Sequence, residues 1–102
     1  MYMSMPYEER RAVYEAAIEH YGREQQTLKA VEEMAELTKE LAKCFVTNGT
    51  TLDKIVDEIA DVTVMLEQLR LIYCVNDAVQ ERISYKVKRL QHRVETEPMR
   101  EG

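Results

Sequence analysis

The sequence predicts an all-α fold, a four-helix antiparallel bundle-like subunit forming one domain over residues 1–102, and three observations carry that expectation. Both prolines, Pro6 and Pro98, lie near the ends, and only three glycines occur in 102 residues, so nothing cuts the interior into short strands. Apolar residues recur at three- and four-residue steps in four successive segments. The connections between those segments are short, which favours antiparallel neighbours.

The first segment runs from about Pro6 to Tyr21, with Tyr7, Tyr14, Ile18 and Tyr21 on one face and Gly22 as its stop. A second, from about Glu24 to Phe45, carries Ala30, Met34, Leu37, Leu41, Cys44 and Phe45 as its apolar stripe, and Asn48-Gly49 is the turn that follows. Thr50 or Thr51 caps the third, whose stripe of Ile55, Ile59, Val62, Leu66, Leu69 and Tyr73 is the most regular in the chain. Asn76 reads as the cap of a fourth helix with Val79, Ile83, Val87, Leu90 and Val94 on one face, fraying after Glu95.

A net charge of -5 argues against an open nucleic-acid surface, which needs concentrated Lys and Arg. It leaves room for a nucleotide held through metal ions. No stretch approaches the roughly 18 apolar residues of a membrane span, and the N-terminal residues lack an apolar signal-peptide core. A cytoplasmic protein with no membrane partner is expected. Cys44 and Cys74 are expected on apolar helix sides as buried thiols, too few for a disulfide framework.

Residues three apart on a helix point the same way, so Glu33 and Glu36 form one acidic pair and Glu58 and Asp61 another. At ~100° per residue, each pair falls roughly 90° from the centre of its own apolar stripe. Two packed helices would then bring the pairs together at the shoulder of the buried face. Four carboxylates so placed raise one another's pKa values until cations neutralise them. With oxygen donors only, no Cys or His at zinc spacing and no Glu-x-x-His, the expected cation is Mg²⁺, with Mn²⁺ as its substitute. Either pair alone also suits a solvated helix face, relieved by Lys29, Lys39, Lys43 and Lys54.

The run Glu32-Glu33-Met34-Ala35-Glu36-Leu37, with 21 residues between Glu36 and the Glu58 of Glu58-Ile59-Ala60-Asp61, resembles the E-x-x-E and E-x-x-D signature of the MazG-like all-α nucleoside triphosphate pyrophosphohydrolases. The stretch Tyr21 to Leu28 is similar to that family's aromatic-then-Gln approach to the second helix. The resemblance implies that Glu33, Glu36, Glu58 and Asp61 ligate Mg²⁺. It also implies cleavage of a nucleoside triphosphate between its α- and β-phosphates, giving monophosphate and pyrophosphate. Glu36 is then the candidate to orient the attacking water or take its proton. Glu32 points away by another ~100°, and Glu40, one turn beyond Glu36, is a weaker candidate for a metal-bound water.

On the fourth helix Arg82, Lys86 and Arg89 share a face suited to β- and γ-phosphates. Related enzymes often carry Lys and then Asn four residues later there, where this chain has Arg82 and Lys86. Tyr21 and His20 by stacking, and Gln25 by hydrogen bonding, are candidates for the base. So small a chain struggles to enclose a nucleotide alone, so a homodimer or homotetramer is expected. The competing reading is a non-catalytic helical regulatory or assembly module with a solvated acidic face. A P-loop enzyme is excluded, because glycine at 22, 49 and 102 alone builds no G-x-x-x-x-G-K loop.

Overall fold

The computed structural model describes residues 4–46 and 48–100. It is all-helical, with α1 (Tyr7–Tyr21), α2 (Arg23–Val46), α3 (Leu52–Ile72) and α4 (Asn76–Thr96). None of these helices is long and apolar enough to cross a membrane.

Gly22 ends α1 at φ 93°, a conformation that costs glycine little, and its N–H closes on the Ile18 carbonyl. Asn48 takes a left-handed φ of 53° in the α2–α3 turn. Thr51 is the cap of α3, its hydroxyl accepting the Lys54 N–H at 3.4 Å. Thr50 instead donates its hydroxyl to Glu40 Oε2 at 2.7 Å. The fourth helix departs from expectation at its start: Val75 precedes it as the cap residue, without a side-chain cap, and Asn76 is already helical.

α3 stops one residue before Tyr73, through a turn in which the Cys74 N–H bonds the Leu71 carbonyl and the Val75 N–H bonds the Arg70 carbonyl. That is the Schellman pattern, in which glycine normally holds the left-handed position. Here Cys74 holds it, at φ 56°, and is exposed, which corrects the expectation of a buried helical thiol. Cys44 is half-buried on α2. An L-residue in this conformation costs about 1 kcal/mol. Cys74→Gly is therefore expected to raise the unfolding free energy by somewhat less than that, because glycine loses more backbone entropy on folding. Denaturant melting checks it, and a lower midpoint would contradict it.

α2 and α3 form the principal packing of the chain, and α1 lies against both. The α2 seam is Gln26, Ala30, Glu33, Leu37, Glu40 and Cys44, and the α3 seam is Ile55, Glu58, Val62, Met65, Leu69 and Ile72. Both step by three and four residues, as antiparallel knobs-into-holes packing requires. Gln26 and Glu40, polar residues of the α2 seam, are paired. Gln26 donates to Gln68 at 2.8 Å, and buried Glu40 is held between Thr50 and Lys43, with the Thr50 hydrogen bond chiefly keeping its carboxyl below the ordinary range. Glu40 thus serves the α2–α3 turn rather than the acidic pairs.

α1 is tied to α3 by one carboxylate. Glu67 accepts two hydrogen bonds from Arg10, at 3.2 and 2.9 Å, and one from the buried Tyr14 hydroxyl at 2.7 Å. Burial pushes the Glu67 carboxyl up, but these donors outweigh it and hold it below the usual range.

α4 is different. Its backbone comes close to that of α3 alone among the described helices, chiefly where Arg70 donates to the Asn76 carbonyl and to Gln80 Oε1, and no residue along it is buried. Its stripe of Ile83, Val87, Leu90 and Val94 is 43% to 72% exposed. The Cα radius of gyration is accordingly 16.9 Å, against about 13 Å for a compact domain of this length. Three of the four helices therefore pack on one another, and the fourth presents its apolar face outward.

Candidate metal centre

The α2–α3 seam places Glu33 and Glu58 at positions where a coiled coil would carry apolar knobs. Asp61, one turn beyond Glu58, stands beside them at the seam's edge. Donor oxygens of Glu33, Glu58 and Asp61 all lie within 4.8 Å of one another. Three of the four carboxylates singled out by spacing thus converge from two helices, nearer the packed seam than the 90° shoulder expected.

Their surroundings oppose their charge. Burial, and then Asp61, Glu33, Glu36 and Asp57, raise the Glu58 carboxyl above its ordinary range. Burial is also the main cause for Asp61, followed by the charges of Glu33 and Asp57 and a hydrogen bond shared with Glu33. Glu58 Oε2 is shut off from solvent and has no hydrogen-bond partner. A buried carboxylate oxygen without a donor is costly. Three carboxylates converging from two helices, one of them with an oxygen that lacks a donor, fit a hard divalent cation such as Mg²⁺ or Mn²⁺.

Glu36 is exposed and stands outside the converging triad, yet close enough for its charge to raise Glu58. Glu32 faces outward and pairs with Lys29 at 3.6 Å. Lys29 Nζ also lies 3.2 Å from Glu33 Oε1, placing a cation directly on the centre. Sequence periodicity treats Lys29 as one of several charge-relieving lysines. Its four-residue spacing from Glu33 is the signal that sets it apart.

Next to the carboxylates along the seam, Tyr21, Gln25, Gln26, Lys29 and Met65 line an open cleft of about 550 Å³. Tyr21 is exposed and makes an edge-on contact with the His20 ring, centroids 4.6 Å apart. Two of the base-binding candidates, Tyr21 and Gln25, therefore share one cleft, and His20 braces the first. The phosphate candidates Arg82, Lys86 and Arg89 are not brought there by their own chain, since the α4 backbone packs along neither α1 nor α2. They lie on its exposed surface, with Arg82 stacked 4.5 Å over the Tyr85 ring. Comparisons with protein-family models, with curated proteins and with solved structures give no match to this chain.

Proposed function

We propose that this chain is a cytoplasmic, Mg²⁺-dependent nucleoside triphosphate pyrophosphohydrolase of the MazG-like kind. The observation that carries the reading is the meeting of Glu33, Glu58 and Asp61 oxygens from two helices, in a group where Glu58 Oε2 is buried and unpartnered. Beside it lies a cleft with the size and aromatic edge that a nucleoside needs.

Glu33, Glu58 and Asp61 hold the cation, and Glu36 completes the set from the rim. When bound, Mg²⁺, or Mn²⁺ in its place, screens the triphosphate and acidifies water at the centre. Glu36, exposed and adjacent, orients the attacking water and takes its proton. Water oxygen bonds to the α-phosphorus, the bond from that phosphorus to the oxygen bridging to the β-phosphate breaks, and monophosphate and pyrophosphate leave. Tyr21 stacks on the base and Gln25 hydrogen-bonds to it.

The proposed enzyme is a homodimer or homotetramer. α4 is too exposed to be stable as an isolated helix, because 21 residues of mixed sequence gain little without a packed face. A second subunit covering Ile83, Val87, Leu90 and Val94 would also set Arg82, Lys86 and Arg89 near bound phosphates. The same uncovered face suits a non-catalytic assembly module, and activity separates the two readings. Pyrophosphate release is expected from at least one member of a ribo- and deoxyribonucleoside triphosphate panel with Mg²⁺, and none with chelator. Silence across the whole panel would overturn the enzyme.

A further inference from the structure

We infer that Lys29 is a substrate-phosphate ligand that Glu33 holds in reserve, exchanging its carboxylate partner for the nucleotide's phosphate oxygens when metal enters the centre. The inference rests on the proposed metal centre and adds a binding residue to it. Two placements meet in this one side chain. Its ammonium is 3.2 Å from Glu33 Oε1 and 3.6 Å from Glu32 Oε1, and it also lines the Tyr21–Gln25–Met65 cleft. A nucleoside in that cleft with its phosphates directed at Glu33, Glu58 and Asp61 must pass its phosphate chain across Lys29.

The charges dictate the exchange. In the metal-free protein Lys29 partly neutralises a centre whose Glu58 and Asp61 are otherwise forced together. Glu33, when it holds a divalent cation, would no longer need the ammonium, which the added positive charge would repel, since like charges a few ångströms apart oppose each other even in water. Lys29 then needs another anion. Its four-carbon stem is flexible and half-exposed, and its three donors suit phosphate as a point charge. α4 does not reach α2 within the chain, so Lys29 is the cation that a single chain itself pairs with the centre among the described residues.

The consequence is a pair of opposite effects from one substitution. Lys29→Met removes both a competitor for Glu33 and a like charge, so Mg²⁺ alone, followed by calorimetric titration, binds about fivefold tighter than to the wild type. The same variant loses a charge-assisted contact to substrate, so KM for the best nucleotide of the panel rises about tenfold. Lys29→Arg keeps the charge and restores KM most of the way. If Lys29→Met instead weakens Mg²⁺ binding, the lysine organises the carboxylates and the inference falls while the metal centre stands. An unchanged KM in an active Lys29→Met enzyme overturns it equally. A wild type that neither binds Mg²⁺ nor releases pyrophosphate overturns the metal centre itself, and the inference with it.

Discussion

Glu58→Gln is expected to lower pyrophosphate release by at least about a hundredfold, as loss of a metal-site group does, while raising the melting temperature of the metal-free protein at neutral pH. The two effects have one cause. Glu58 is driven up first by burial and then by Asp61, Glu33, Glu36 and Asp57, and one of its oxygens lacks any donor. The amide keeps the shape and supplies two hydrogens where the carboxylate has none. It removes a proposed metal ligand and also the charge that burial and the neighbouring carboxylates oppose most.

The pH dependence follows with a definite sign. Because the folded-state pKa values of Glu58 and Asp61 are raised, the native protein holds protons that the unfolded chain has already released. Their contribution to stability is complete below the ordinary carboxylate range, and it is lost as pH rises through the raised values. Glu40 and Glu67 act oppositely, since their depressed values give stability that fades on acidification. Subtracting variant from wild type isolates Glu58. The advantage of Glu58→Gln should be small near pH 4, grow toward pH 7, and reverse when Mg²⁺ is added and stabilises only the wild type. Thermal melts at two pH values with and without Mg²⁺ check this. A metal-free variant that melts lower than wild type at pH 7, with Mg²⁺ shifting neither protein, would dismiss the centre as a metal site.

Helix order and most boundaries are legible in the residue pattern, because Gly22, Asn48 and Thr51 act locally and the apolar steps repeat. Which face turns inward is less legible. On α3 the apolar reading selects Ile59, Leu66 and Tyr73, all of which are exposed, whereas Glu58, Met65, Gln68 and Ile72 turn toward α2 or lie buried. On α2 it selects Phe45, which is 90% exposed, and passes over Gln26, Glu33 and Glu40. Hydropathy assigns a polar residue to solvent. It has no means of registering that Gln26 is satisfied by Gln68, or Glu40 by Thr50, across the seam. The acidic pairs were legible as pairs because three-residue spacing is local. The convergence of Glu33, Glu58 and Asp61, the exclusion of Glu36 from it and the arrival of Lys29 depend on the register of two helices, which no local pattern fixes. The apolar residues left uncovered on α2, α3 and α4 are part of the same pattern, since periodicity records every face a helix buries, including any buried against another chain.

That last point bears on the second large effect, Val87→Asp combined with Leu90→Asp on α4. Both side chains are more than half exposed within the chain, so in a monomer the change would be nearly silent. Under the proposed assembly each is buried against a second subunit. Losing two such side chains removes roughly 1.5–3 kcal/mol apiece, and two unpaired carboxylates placed in the contact add more. The dissociation constant should therefore rise by at least about a thousandfold. Sedimentation is expected to give a dimer or tetramer for the wild type and a monomer for the double variant. Helicity should fall at the same time, because α4 lacks other packing along its length and a lone helix of this size is marginal in water. Activity is expected to fall with association if Arg82, Lys86 and Arg89 reach the phosphates from a neighbouring subunit. In that case Glu58→Gln chain, whose three cations are intact, should restore release when mixed with a chain in which Arg82, Lys86 and Arg89 are replaced and the carboxylates are kept. A wild type that sediments as a monomer with α4 fully helical would show that this face needs no second copy, and the phosphate-binding role of the three cations would fall with the assembly.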